Sequence, residues 1–178
     1  MKARDRRNGL IVVNTGEGKG KSSSAFGMVF RAAGWGMKVC VIQFIKGKWQ
    51  TGEQKAAERF GNIEWHALGD GFTWDTRNPE QDKKTSREIW ELSKQKLVSQ
   101  TYDMLVLDEI NCCCDYGWLN AAEITDFLRD YRPPWMHVIL TGRGAPAEFV
   151  DLAQTVTEMK NVKHAFDQGI KAEAGVEF

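Results

Sequence analysis

A glycine-rich segment near the amino terminus combines residue types that bind phosphate. Residues 15–22 read Thr-Gly-Glu-Gly-Lys-Gly-Lys-Ser and directly follow an apolar run at 10–13. Glycines let a backbone turn tightly enough to direct several N–H groups at phosphate oxygens, and a helix that begins there adds its positive end. Lys21 then supplies a point charge and Ser22 a hydroxyl for Mg²⁺. The segment predicts a triphosphate site with the binding residues Thr15, Gly16, Glu17, Gly18, Lys19, Gly20, Lys21, Ser22 and Ser23.

The phosphate-loop motif G-x-x-x-x-G-K-[ST] is matched with one departure. Five positions before Gly20 stands Thr15, where the motif has glycine. The context still favours a phosphate loop, because an apolar run precedes it and residues 22–34 have helical periodicity. We expect the side chain of Glu17 to point away from phosphate, toward solvent or nucleoside. The alternative is a surface hairpin that binds no ligand.

Two carboxylates directly follow a second apolar run. Residues 103–109 read Asp-Met-Leu-Val-Leu-Asp-Glu, which places Asp108 and Glu109 at the end of a predicted buried strand. P-loop proteins hold Mg²⁺ beside the phosphates from such a position. The two side chains project oppositely in an extended chain, so we expect one to bind the metal and the other to support it. The predicted ligands of Mg²⁺ or Mn²⁺ are Ser22 and one of the pair Glu109 and Asp108. Taken alone, an acidic pair at a strand end is more often a helix cap or a solvated edge, and the phosphate loop is what favours the metal site.

Two further segments carry side chains suited to ligand contact, and each also has a structural explanation. Residues 141–144 read Thr-Gly-Arg-Gly after another apolar run, so Arg143 would reach phosphate or ribose, or form a surface salt bridge. Residues 69–76 read Gly-Asp-Gly-Phe-Thr-Trp-Asp-Thr. If that loop is extended, Phe72 and Trp74 point to the same side, where they would cover a flat ligand or pack into the core.

Composition indicates one globular domain. The chain has 178 residues, of which 42% are hydrophobic, which is enough for a substantial core. Its 24 basic and 24 acidic side chains cancel, which disfavours nucleic acid or a membrane surface as a partner. We expect a basic amino-terminal arm at residues 1–8 and a single domain at residues 9–178. No apolar stretch of signal-peptide or transmembrane length follows the arm, so we expect a cytoplasmic protein.

Cysteine and histidine residues give no pattern of a disulfide framework or a zinc site. Cysteines occur at position 40 and at the three consecutive positions 112–114, a spacing that suits neither. We expect free thiols in a reducing compartment. The histidines at positions 66, 137 and 164 are scattered, so we expect structural or surface roles for them.

Apolar runs and helical patterns alternate along the chain. Buried strands are predicted at 10–14, 39–44, 104–108 and 138–141, with weaker candidates at 63–68 and 155–158. One helix is expected to begin at Pro79, with Asn78 as its cap, and to run to about Gln100; another begins near Asn120 and ends before Pro133. This alternation predicts an α/β fold with a mostly parallel central sheet and helices on both faces, in which ligands bind beyond the carboxyl ends of the strands.

The motifs together resemble the CobA/CobO/BtuR group of corrinoid adenosyltransferases. The resemblance rests on six segments and extends from about residue 9 to the end of the chain. The segments are Thr15–Ser24, Gln43-Phe44-Ile45-Lys46-Gly47, the aromatic loop 71–76, Leu107-Asp108-Glu109, Thr141–Gly144 and the stretch 162–172. Most of these motifs occur singly in many nucleotide-binding proteins, whereas their combination in this order is specific.

The resemblance implies a RecA-like P-loop fold and transfer of the 5′-deoxyadenosyl group of ATP to the cobalt of a reduced corrinoid, with release of tripolyphosphate. Lys21 and Arg143 would stabilise the leaving group. Phe72 and Trp74 match the family's Phe-x-Trp and would occupy the lower face of the corrinoid, displacing its axial ligand so that Co(II) is reduced more easily. The resemblance further implies a homodimer and a flavoprotein reductant such as flavodoxin.

Two other functions are compatible with the same motifs. A RecA-like ATPase or small-molecule kinase would use the phosphate loop and the acidic pair, and would release ADP or orthophosphate. A non-catalytic ATP- or corrinoid-binding protein would use the two aromatic rings only to hold its ligand.

Overall fold

The computed structural model describes residues 8–45, 50–69 and 79–177. Most of the predicted amino-terminal arm, and both aromatic residues of the 69–76 loop, lie outside these ranges. The described residues form six strands and six α-helices, which alternate except that α4 and α5 are consecutive, and a short 3₁₀ helix at Phe166–Gln168 follows the last strand. The strands and α-helices are β1 (Ile11–Thr15), α1 (Lys21–Gly34), β2 (Val39–Gln43), α2 (Gly52–Ala57), β3 (Ile63–Ala67), α3 (Pro79–Val98), β4 (Met104–Asp108), α4 (Ile110–Asp115), α5 (Ala121–Tyr131), β5 (His137–Thr141), α6 (Ala147–Leu152) and β6 (Thr155–Glu158).

All six strands pair in parallel in one sheet, in the order β3-β2-β4-β5-β1-β6. The phosphate-loop strand β1 and the acid-bearing strand β4 are therefore separated by β5 alone. The sheet confirms the predicted α/β class with a parallel central sheet, and it includes both strands for which the sequence signal was weak. Strand β6 is exposed along its whole length, which explains why its apolar pattern is faint.

Successive side chains of each strand point to opposite faces of the sheet, so both faces are apolar and both are covered by helices. On one face, Phe26 and Val29 of α1 pack against a cluster that includes Val106 of β4. On the other face, α3, α4, α5 and α6 pack on a cluster that includes Leu105 and Leu107, the sequence neighbours of Val106. The core thus has two layers, with the sheet between them.

Helix boundaries follow the local signals where the structure describes them. Helix α3 begins at Pro79 as predicted and ends at Val98, two residues before the predicted end. Helix α5 begins after Asn120, whose side-chain oxygen accepts hydrogen bonds from the N–H groups of Ala122 and Glu123. This cap satisfies two of the donors that every helix start leaves unpaired.

The strand register brings polar side chains together at the carboxyl edge of the sheet. Gln43 of β2 is paired with Asp108 of β4, and Asn14 of β1 is paired with Thr141 of β5. All four are buried. Parallel strands therefore align the ends of segments that are distant in sequence.

Candidate functional site

A cavity of about 550 Å³ lies beyond the carboxyl ends of β1, β4 and β5. It is the position where open α/β sheets bind ligands. Its wall brings together the phosphate loop, the end of β4, the turn after β5 and the carboxyl-terminal segment. The lining residues are Glu17, Gly18, Lys19, Gly20, Lys21, Ser22, Ser23, Ile45, Glu109, Cys112, Tyr116, Arg143, His164, Val176 and Glu177.

The phosphate loop turns at two glycines in the left-handed region. Gly16 has φ +97° and Gly20 has φ +105°, values that other residues rarely adopt. A Cβ at Gly16 would also lie 2.5 Å from the carbonyl oxygen of Met159. The tight turn that the motif assigns to its first glycine is thus made one residue later, while Thr15 ends β1 and accepts a hydrogen bond from the N–H of Ala145 at 3.1 Å. Neither Thr15 nor Gly16 lines the cavity; they shape the base of the loop.

Lys21 is the first residue of α1, and its side chain reaches back into the loop. Its Nζ donates a hydrogen bond to the carbonyl oxygen of Gly18 at 2.6 Å. Burial lowers the pKa of Lys21, and the neighbouring charge of Arg143 lowers it further, whereas Glu109 opposes both. Because Gly20 precedes the helix, no side-chain cap covers the first turn that faces the cavity. The helix end and the lysine therefore provide positive potential in the same place.

Two buried asparagines support the loop from below. Asn14 Nδ2 donates to the carbonyl oxygen of Lys21 at 3.2 Å, which ties the first turn of α1 back to β1. Asn111 Nδ2 lies 3.0 Å from the carbonyl oxygen of Gly142 and 3.4 Å from that of Asn14, so it connects the end of β1, just before the loop, to the turn after β5. The sequence reasoning missed both residues, since only their partners in space show what they do.

Asp108 and Glu109 occupy different environments, as their alternation predicted. Asp108 is fully buried; its Oδ2 accepts from Gln43 Nε2 at 2.9 Å and its Oδ1 accepts from Thr141 Oγ1 at 2.7 Å. The Thr141 hydroxyl in turn accepts from the N–H of Glu109 at 3.0 Å. Glu109 itself lines the cavity. Asp108 therefore connects three strand ends, while Glu109 faces the space beside Lys21.

Arg143 combines the two alternatives that spacing left open. It lines the cavity, and its Nε lies 3.5 Å from Glu17 Oε2. Both side chains are mostly exposed, with 60% of Arg143 and 70% of Glu17 accessible. The ion pair therefore contributes little stability, and another anion can readily replace Glu17 as the partner of Arg143. Glu17 also lines the cavity, so the expectation that its side chain points away from phosphate stays a prediction.

The carboxyl-terminal segment closes one side of the cavity, which sequence reasoning did not foresee. The N–H of Gly18 donates to the carbonyl oxygen of Met159 at 2.6 Å, and Lys19 forms an ion pair with Glu177. His164 also lines the cavity, although its Nδ1 accepts from the N–H of Phe166 at 3.0 Å and so also shapes its own turn. This hydrogen bond is a structural contact of the kind expected for His164.

All four cysteines are free thiols, as expected. Burial raises the pKa of Cys112 to about 12, with a further contribution from the charge of Glu109. Burial likewise raises the pKa of Cys113 and brings that of Cys114 to about 12. These thiols are protonated at neutral pH. Cys112 alone among the three lines the cavity.

A separate polar cluster surrounds Glu64 on β3. Its carboxylate accepts hydrogen bonds from Lys96 at 2.6 Å and from Tyr102, and it lies 2.6 Å from His66 Nε2. Burial acts to raise the pKa of Glu64, but these hydrogen bonds outweigh it and hold the pKa at about 2. Cys40 completes a group of possible metal ligands within 4.8 Å of one another. Since Lys96 already neutralises the carboxylate, the group is organised as a hydrogen-bond network.

The predicted residues Phe72 and Trp74, and the pair Lys46-Gly47, lie outside the described ranges. In the part of the chain that is described, no helix is both long and apolar enough to cross a bilayer.

One family model and several curated relatives match this chain over nearly its whole length. A family model described as ATP:corrinoid adenosyltransferase BtuR/CobO/CobP matches residues 7–178. A corrinoid adenosyltransferase from Pseudomonas aeruginosa is 48% identical over 177 residues, covering 99% of this chain and 86% of that protein. One from Escherichia coli K12 is 45% identical over 176 residues, covering 99% and 88%. Among solved structures, a KaiC-like protein from Pyrococcus horikoshii covers 88% of this chain and 75% of its own, with 14% identity and a TM-score of 0.48.

Proposed function

We propose that this chain, which belongs to the ATP:corrinoid adenosyltransferase family, transfers the 5′-deoxyadenosyl group of ATP to the cobalt of a reduced corrinoid. The Co(I) electron pair forms the new bond to C5′ of the ribose. The C5′–O bond breaks, and its electrons leave with tripolyphosphate. The observation that carries the proposal is the full-length family match on a chain whose phosphate loop, Glu109 and Arg143 line one cavity.

The side chains in the cavity suit this reaction because it needs no protein base. Co(I) is already a strong nucleophile, so the protein's tasks are to orient C5′ and to stabilise negative charge on the departing polyphosphate. Lys21 and the start of α1 provide positive charge where the phosphates bind. Arg143 adds a second cation once it exchanges Glu17 for phosphate. Asn14 holds the loop in position through the carbonyl group of Lys21.

The oxygen ligands in the cavity fit a magnesium ion. The hydroxyl of Ser22 and the carboxylate of Glu109 line the same cavity, and Mg²⁺ prefers such hard oxygen donors. We propose that these two residues hold Mg²⁺, or Mn²⁺ in its place, and that Asp108 supports Glu109 from the strand end. When bound, the ion supplies charge neutralisation on the polyphosphate.

The further components remain predictions from the family resemblance. Phe72 and Trp74 cover the lower face of the corrinoid and displace its axial ligand, while a flavoprotein such as flavodoxin supplies the electron. The protein works as a cytoplasmic homodimer, and residues 9–178 form its single catalytic domain.

The proposal is tested with purified protein, ATP, Mg²⁺ and a chemically reduced corrinoid. A light-sensitive Co–C product and tripolyphosphate are expected in equal amounts. Release of orthophosphate or ADP instead would identify an ATPase or kinase, and tight corrinoid binding without turnover would identify a carrier.

Two variants separate the roles within the reaction. Lys21→Ala should abolish transfer, because the leaving group loses the partly buried cation of the loop. Trp74→Ala should largely spare transfer to corrinoid that is already Co(I), but should greatly slow the reaction coupled to a flavoprotein. Equal loss in both assays would contradict the lower-face role of Trp74.

A further inference from the structure

Three consecutive cysteines on α4 occupy three different environments. Successive residues of a helix are rotated by about 100°, so only one of them faces a given side. Cys112 lines the cavity, Cys113 is fully buried with its sulfur 3.7 Å from Ser86 Oγ, and Cys114 is half-buried against the core. The family resemblance assigns no role to this run.

Cys112 contacts Glu109, which follows β4, and Arg143, which lies in the turn after β5; both residues line the cavity. Its Sγ lies 3.1 Å from Glu109 Oε2, to which the thiol donates, and 3.3 Å from the N–H of Arg143, from which it accepts. It also sits 3.0 Å from where a Cβ on Gly142 would lie, so the turn after β5 is packed directly on the sulfur. One side chain thereby joins Glu109 and Arg143, which are 34 positions apart in the sequence.

The backbone of Glu109 has an uncommon conformation at the start of α4. It has φ +67°, in the left-handed region that residues other than glycine rarely adopt, and it occupies the cap position of α4. Its side chain makes no cap hydrogen bond to that helix. The thiol three residues later provides a hydrogen bond that directs the carboxylate over the cavity.

We propose that Cys112 is a positioning residue that fixes the Glu109 carboxylate and the Arg143 turn for MgATP. This inference rests on the proposed function, since it assigns Glu109 and Arg143 to the nucleotide. Cys112 contacts no reacting atom in this proposal; it acts through the two residues that it connects.

The neighbouring cysteines give the matched controls. Cys112→Ala should weaken MgATP binding, measured by calorimetry, about fivefold to tenfold, because a thiol is a weak donor and its hydrogen bond contributes less than an ordinary hydrogen bond to a charged group. It should also raise the Mg²⁺ concentration that half-saturates turnover, while the kcat at saturating MgATP changes much less. Cys112→Ser keeps a donor and an acceptor and should restore both values to within about twofold of the parent. Cys114→Ala should bind MgATP like the parent, and melting temperatures of all variants identify any loss of fold.

Each outcome bears on one proposal. If Cys112→Ala binds MgATP as tightly as the parent, or if Cys112→Ser is as impaired as Cys112→Ala, Cys112 does not position the site. An equal effect of Cys114→Ala would also overturn the inference, because it would indicate general loosening of α4. If the parent binds MgATP but forms no Co–C product, the proposed function fails while the test of Cys112 remains valid.

Discussion

Replacing Asp108 by asparagine distinguishes the role of Asp108 from that of Glu109, the other carboxylate at the end of β4. The parent carboxylate accepts from both Gln43 Nε2 and Thr141 Oγ1, and it is fully buried. An asparagine has one acceptor oxygen, so its NH₂ group would face one of these donors. In the parent, Gln43 Oε1 accepts a hydrogen bond from the indole N–H of Trp65 at 2.9 Å. If the Gln43 amide rotates to accept from the new asparagine, this hydrogen bond is lost. At least one buried or partly buried donor therefore loses its acceptor.

The magnitude follows from this count. A hydrogen bond to a charged group contributes about 1.5–3 kcal/mol, and a buried donor without a partner costs about 1–3 kcal/mol, so Asp108→Asn should lower the free energy of unfolding by about 2–4 kcal/mol. For a chain of this size that is a fall in melting temperature of roughly 5–15 °C. Glu109→Gln should cost about 1 kcal/mol or less, since its side chain faces the cavity.

The assay measures thermal unfolding and the Mg²⁺ dependence of adenosyl transfer in the same preparations. Below its melting temperature, Asp108→Asn should keep a Mg²⁺ half-saturation within about threefold of the parent, whereas Glu109→Gln should raise it by about tenfold or more. The reasoning is refuted if Asp108→Asn melts with the parent, or if its Mg²⁺ requirement rises more than that of Glu109→Gln.

Two other predictions concern the loop support and the distant polar cluster. Asn14→Ala removes the donor to the carbonyl oxygen of Lys21 and should raise the MgATP dissociation constant by about threefold to tenfold in calorimetry, whereas an unchanged constant would exclude this support. The pKa of Glu64 is about 2 in the fold against its usual 4.5, so protonation on acidification favours the unfolded chain. Its contribution to stability should be complete above about pH 4.5 and lost as the pH falls toward 2. Denaturant unfolding of the parent and of Glu64→Gln across this range should show a steeper acid loss in the parent, and parallel curves would contradict the assignment.

Local patterns predicted most of the fold because they act over a few neighbouring residues. Apolar runs located all six strands, and the Asn120 cap and Pro79 located two helix starts. The short helices α2, α4 and α6 were not predicted individually. Each has six residues, fewer than two turns, so no apolar periodicity can develop.

The candidate site likewise contains residues whose roles the sequence predicts and residues whose roles it does not. The glycine, lysine and serine of the phosphate loop are contiguous in sequence, so the sequence alone indicates their chemistry. The roles of Asn14, Asn111 and Cys112 could not be predicted in this way, because each depends on a partner that another strand end or turn brings near. Glu177 is the extreme case, since it pairs with Lys19 across most of the length of the chain.

The sequence by itself determined the class of fold, the family and the position of the glycine-rich loop, because these follow from residue types at short spacing and from motifs in a fixed order. Only the tertiary structure decided that Asp108 is turned into a buried network while Glu109 faces the cavity. Alternation along a strand states that two neighbours point apart, but which of them meets the ligand depends on what the parallel register places against each face.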